Sequence, residues 1–168
     1  MEIAIRFLGA RPRARREIAR RLVRAGVTEA IAEETLTRLA DLGYVDDAAF
    51  ARWWAEQRDR HAPRGRRMLE AELRMHGVPR DAIEELGEIL AAPDRVPEDE
   101  GLPASEEERA EVALRRHLRG RPLPADPVAI RRVGMFLMRR GFGSETVRAT
   151  IRAAQASGGA DESSGLLE

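Results

Sequence analysis

The sequence predicts an all-α protein, with about three tandem three-helix repeats forming an elongated array. Three observations predict it. Apolar residues recur at intervals of three and four along most of the 168-residue chain, and no segment sustains period-two alternation. One phrase occurs three times, as Leu22-Val-Arg-Ala-Gly26-Val27, Leu73-Arg-Met-His-Gly77-Val78 and Leu137-Met-Arg-Arg-Gly141-Phe142. In each copy the leucine packs the last inward turn, the glycine takes a left-handed cap, and the next apolar residue folds back onto the helix. The offsets are 51 and 64 residues. That spacing suits a three-helix unit and is too long for a tetratricopeptide repeat, so neighbouring units are expected to stabilise one another.

The elements follow in order. A helix from Arg15 buries Ile18 and Leu22 and stops at Gly26. A second runs from about Glu29 to Leu42, with Ile31, Thr35, Leu36 and Leu39 inward, and Gly43 stops it. Asp46 or Asp47 caps the third, which carries Phe50, Trp53 and Trp54 and ends near His61. The two tryptophans lie about 100° apart on that helix, so one is expected in the core and the other on a groove. A helix over 64–76 buries Leu69 and Leu73, and another runs from Pro79 or Asp81 to Leu90. Residues 91–104 hold three prolines and several acids and read as a linker or exposed loop. Ser105 and Glu108 form a capping box for a helix to Leu118. Asp126 before Pro127 opens a helix to Arg140, and Ser144 caps a last helix ending near Ala154. The units are accordingly drawn as 1–61, 62–120 with the acidic insert 91–104, and 121–154, followed by a disordered tail at 155–168.

Composition removes whole classes of chemistry. There is no cysteine, which excludes disulfides, thiolate metal sites and a cysteine nucleophile. All 29 basic residues are arginine, which excludes a Walker lysine and a Schiff base. His61, His76 and His117 have no metal-ligand spacing, and no phosphate loop or nucleophile elbow is present. The reading is a non-enzyme with no catalytic residues, no metal and no cofactor. Neither a secretory leader nor a membrane span is evident, so the expected location is the cytoplasm, with no membrane partner.

The charge is balanced at 29 acids, yet segregated. Residues 1–80 hold 17 Arg against 12 acids, 81–112 hold 2 against 12, and 113–154 hold 10 against 2. Helical periodicity then sorts arginines onto faces. Arg16, Arg20 and Arg24 lie opposite the Ile18/Leu22 stripe; Arg67 and Arg74 lie away from Leu69/Leu73; Arg132, Met135 and Arg139 lie away from Val133/Leu137. The helix over 128–140 contains no acid, whereas a merely solvated face mixes signs. These eight residues are the candidate binding set. They suit an acidic polymer, because a guanidinium meets carboxylate or phosphate bidentately.

Gly43-Tyr44-Val-Asp46-Asp47-Ala-Ala-Phe50-Ala51 resembles the signature of the RecX family of recombination regulators. Arg11-Pro-Arg-Ala-Arg-Arg-Glu17, Gly65-Arg-Arg-Met-Leu-Glu-Ala-Glu-Leu73 and Arg139-Arg-Gly-Phe142 are similar to further markers of that family, in its order, over about residues 4–153. Two departures stand out: Ala14 replaces a helix-capping serine, and the insert before Ser105 is long. The resemblance implies three tandem three-helix repeats forming a curved, basic surface that binds along the groove of the RecA recombinase filament on DNA and restrains ATP hydrolysis, strand exchange and coprotease activity; single-stranded and double-stranded DNA are further expected partners, and a monomer is expected. It assigns Gly43, Tyr44, Asp46, Asp47, Phe50 and Ala51 a structural role. The residues leave two alternatives open: a direct DNA-binding, helix-turn-helix-like regulator, and a scaffold that binds other proteins through an apolar groove.

Overall fold

The computed structural model describes residues 1–92, 103 and 105–164, with side chains through Ser157. Nine helices and no strand occur among the described residues. They are α1 (Glu2–Leu8), α2 (Arg15–Arg24), α3 (Glu29–Asp41), α4 (Asp47–His61), α5 (Arg66–His76), α6 (Arg80–Ala91), α7 (Glu106–Leu118), α8 (Pro127–Arg139) and α9 (Ser144–Ser164). Most of the acidic insert lies outside the described residues. Two compact units are present: Met1–Glu56 with Glu70–Ile89, and Gln57–Leu69 with Leu90–Glu168.

The thrice-repeated phrase has one structural meaning. Gly26, Gly77 and Gly141 take φ of 84°, 84° and 89°. In each copy the residue after the glycine donates its N–H back to the leucine carbonyl, Val27 to Leu22, Val78 to Leu73 and Phe142 to Leu137, at 3.1–3.3 Å. This is the six-to-one bond of a Schellman cap, which satisfies a carbonyl the helix end leaves open.

In the first unit α1, α2 and α3 close a core of Ala4, Ile18, Leu22, Ala32, Leu36, Leu39 and Val45. Phe50, Ala55, Leu73, Val78, Ile83 and Leu86 are also buried in this unit. In the second, α7, α8 and α9 enclose Ala110, Ala113, Leu114, Val133, Leu137, Phe142 and Val147. The helix triads therefore begin one helix earlier than the grouping 1–61, 62–120 and 121–154. The reason is α1, a seven-residue element that buries only Ala4 and is too short for its period to register. At the other end α9 continues to Ser164, past Ala154, where a disordered tail was expected. Ala153, Ala154 and Ala156 are strong helix formers, and the Ser157 hydroxyl donates to the Ala153 carbonyl at 3.0 Å.

The missing serine at Ala14 is replaced from two directions. Glu17 Oε2 accepts from the Ala14 N–H at 3.2 Å, and Asp47 Oδ1, from α4, accepts from the Arg15 N–H at 2.8 Å. Asp46 caps its own helix, accepting from Ala48 and Ala49 at 2.8 and 3.0 Å. The two adjacent carboxylates thus cap two different helices. Burial raises the Asp47 carboxyl above its ordinary range; the Arg15 N–H and charge oppose this, and Asp46 and Asp81 add to it. A raised folded value means the folded protein holds this proton more tightly than the unfolded chain. The group therefore favours folding more as pH falls into the carboxylate range. Asp47→Ala should cost about 1 kcal/mol in urea unfolding. Asp47→Asn, which keeps the acceptor and removes the buried charge, should cost less, and an equal loss in both would contradict this account.

Gly65, which opens α5, donates its N–H to the Arg140 carbonyl at 2.9 Å. A Cβ on it would stand 2.3 Å from the Gly141 carbon and the Phe142 nitrogen, both backbone atoms that cannot step aside. Gly65→Ala should destabilise by about 3 kcal/mol, read as a lowered urea midpoint. Gly143→Ala, where a Cβ meets nothing within 4 Å, is the comparison and should change far less.

Candidate binding surfaces

On α2 the sequence periodicity holds. Ile18 and Leu22 are buried, while Arg16, Arg20 and Arg24 are exposed on the other side. Arg16 also has a packing role, because its aliphatic stem lies over Gly77, where an added Cβ would come within 2.2 Å of Cδ. Arg74, in the same unit, is exposed but engaged, holding Glu70 one turn back at 2.8 Å. In the second unit Arg67 is exposed at the start of α5. There α8 buries Val133, Gly134 and Leu137 and presents Arg132, Met135 and Arg139 outward, with Met135 52% exposed. Arg131, Val128 and Met138 are exposed on this helix as well. The outcome is a basic, acid-free surface with adaptable thioethers between the guanidiniums.

The signature residues divide by role. Phe50 and Ala51 are core, whereas Tyr44 is 60% exposed and packs no core. Neither tryptophan is the core aromatic; Phe50 is, and both indoles are half-buried around it, with ring centroids 5.8 and 6.0 Å away. A 100° step leaves both flanking the inward direction taken by Phe50. Trp54 Nε1 donates to Glu72 at 2.9 Å and its ring meets His76 at 4.3 Å. His76 Nδ1 in turn stands 3.5 Å from Glu17. The Arg11-Pro-Arg segment is used internally. Arg11 pairs with Glu17 at 3.1 Å and lies 5.7 Å over Trp53. Arg13 lies 4.0 Å over Phe7, with its guanidinium pKa lowered by burial first and by Arg11 second, against Glu17.

Two arrangements escaped the sequence reading. Arg109 of α7 and Asp59 of α4 are each 1% exposed, and Arg109 Nε donates to both Asp59 oxygens at 2.9 and 3.1 Å. The signal was present. Asp59 falls in step with Ala51 and Ala55, and Arg109 with Ala113, so both charges sit on apolar stripes. Arg116 and Arg140 likewise turn onto the protein's own backbone. Arg116 Nη2 donates to the Arg60 carbonyl at 3.0 Å and Arg140 Nη1 to the Pro63 carbonyl at 3.4 Å. Among the described residues no trio of His, Cys, Asp or Glu converges as metal ligands, and no helix is long and apolar enough to cross a membrane.

Repeated three-helix units with capped second helices define a class, the all-α tandem-repeat proteins. Three family models match in order: the first three-helix domain of RecX at residues 1–39, the second at 46–86 and the third at 105–151. The chain belongs to the RecX family. It is 37% identical over 150 residues to the regulatory protein RecX of Mycobacterium ulcerans (strain Agy99), covering 89% of this chain and 80% of that one. It is 36% identical over 155 residues to the regulatory protein RecX of Thermobifida fusca (strain YX), covering 89% and 75%. The crystal structure of RecX from Lactobacillus salivarius superposes with a TM-score of 0.72 over 91% of this chain and 92% of that one, at 17% identity, a likeness of fold.

Proposed function

We propose that this chain is a non-enzymatic regulator that binds the RecA recombinase filament on DNA and restrains its ATPase, strand-exchange and coprotease activities in the cytoplasm. One observation carries the reading beyond family membership: the outward face of α8, where Arg132, Met135 and Arg139 stand exposed on a helix without a single acid. Such a face offers fork-shaped donors to carboxylates or phosphates and a positive field that attracts them. Arg16, Arg20 and Arg24 of α2 supply a second exposed basic strip with the same chemistry. Regulation by occupancy needs no catalytic group.

The test is the DNA-dependent ATPase of the cognate recombinase, titrated with the purified protein from substoichiometric to equimolar amounts. Hydrolysis should fall with added protein, and the effect should weaken as salt rises. An ATPase rate unmoved at equimolar protein removes the reading. Salt-sensitive, sequence-specific duplex binding without recombinase would instead favour the direct DNA-binding alternative.

A further inference from the structure

We propose that the second unit carries an oxyanion site, built by Arg116 of α7 and Arg140 at the end of α8, and that it takes a phosphate group. The site uses none of the outward residues Arg132, Met135 and Arg139, so its fate is independent of the reading above.

Arg116 and Arg140 are both fastened to the backbone around the end of α4. Arg116 Nη2 holds the Arg60 carbonyl at 3.0 Å and Arg140 Nη1 the Pro63 carbonyl at 3.4 Å. Arg140 is fixed further by the Phe136 ring, 4.8 Å below its guanidinium carbon, and by Gly65, whose N–H donates to the Arg140 carbonyl at 2.9 Å. Phe136 is itself stacked on His117, with centroids 3.8 Å apart and planes 15° from parallel. The ring contact and the carbonyl bond restrain the Arg140 side chain, and one exposed hydrogen bond orients that of Arg116, so a ligand meeting them finds part of the ordering already done.

Helix capping explains part of this arrangement, since cations favour a helix C-terminus. It does not explain why two guanidiniums from different helices are brought to carbonyls only three residues apart in the chain, Arg60 and Pro63. A guanidinium has five N–H donors, and one per side chain reaches a carbonyl here. Among the described residues no carboxylate pairs with Arg116 or Arg140. Burial, then Arg64 and Arg116, lower the Arg140 pKa, with no acid acting in the other direction. A half-buried cation pressed by neighbours of its own sign is stabilised by a shared anion, and a tetrahedral oxyanion has enough oxygens to engage several forks at once.

The experiment is thermal unfolding of the full chain by circular dichroism in sodium phosphate and in sodium chloride at matched ionic strength. Phosphate should raise the midpoint saturably, by about 4 °C or more. Arg116→Gln/Arg140→Gln keeps N–H donors for both carbonyls and removes both charges, and it should lose the increment. Arg131→Gln/Arg132→Gln, with the same change in net charge, should retain it. An equal rise in chloride, or an undiminished rise in R116Q/R140Q, overturns the proposal. Should that variant fail to fold, the arginine Nε resonances of the unmodified protein decide. Phosphate must shift those of Arg116 and Arg140 saturably and leave Arg67 in place; uniform, unsaturating shifts overturn the site. Adding an oligothymidylate without terminal phosphates separates the two sources of this chemistry. Displacement of phosphate assigns the site to a nucleic-acid backbone, and continued phosphate occupancy assigns it to the free anion.

Discussion

Replacing Asp59 by alanine is expected to lower stability by about 3–5 kcal/mol, because Arg109 is then left charged and without its carboxylate in the interior. Both side chains are 1% exposed, and Arg109 Nε spends its proton on the two oxygens of this one carboxylate. Water cannot take over the role without opening the packing between α4 and α7. A loss of that size is a large part of the total stability of a small helical unit. The sharper expectation concerns the pair. Asp59→Leu/Arg109→Met removes both charges and fills similar volume, so it should recover most of the loss and could exceed the starting stability by about 1–4 kcal/mol. Urea unfolding of the two proteins measures this. A D59A midpoint within experimental error of the unsubstituted chain would mean the pair is solvated, contrary to its burial.

This ion pair also marks where sequence reasoning stops. The positions of α2 to α8 were legible, because the start and stop signals are local. Ser105 accepts from the Glu108 N–H at 3.1 Å, Asp126 from the Ala129 N–H at 2.8 Å, and the leucine–glycine phrase ends α2, α5 and α8 alike. The outward direction of Arg16, Arg20, Arg24, Arg132 and Arg139 was legible for the same reason, since a 3.6-residue period fixes which residues oppose a buried stripe. What failed was every feature that depends on a partner far along the chain. Ala14 looked like a missing cap because the substitute, Asp47, comes from α4, 32 residues from the Arg15 N–H that it accepts. Arg109 falls in step with Ala113 on an apolar stripe, but nothing local names its partner, because Asp59 lies on α4, 50 residues away. Arg140 looks equivalent to Arg139, yet its position at the helix cap turns it onto Pro63. Arginine counts alone therefore overstate the surface available to a polymer, because Arg11, Arg13 and Arg109 have intramolecular work.

Arg132→Glu/Arg139→Glu should abolish recombinase inhibition while leaving the helical circular dichroism and the thermal midpoint essentially unchanged. Stability is spared because both side chains point to solvent on α8 and neither supports the Val133/Leu137 stripe or the Phe142 cap. Surface substitutions of this kind stay within about 0.5 kcal/mol. Binding is not spared. Each reversal removes a charge-assisted contact and sets a carboxylate against an anionic surface, and like-charge juxtaposition costs several kcal/mol. A combined cost of about 3 kcal/mol corresponds to a loss of roughly a hundredfold or more in affinity. Met135→Ala on the same face should weaken inhibition less, because it removes an apolar contact without introducing repulsion. The order of effect, double reversal far above M135A, separates a charged α8 interface from an apolar one. If M135A proved the more damaging, α8 would dock through its thioethers, with the arginines as bystanders. Inhibition undiminished in both proteins would move the interface off α8 and onto Arg16, Arg20 and Arg24 of α2, where the same reversal could be repeated.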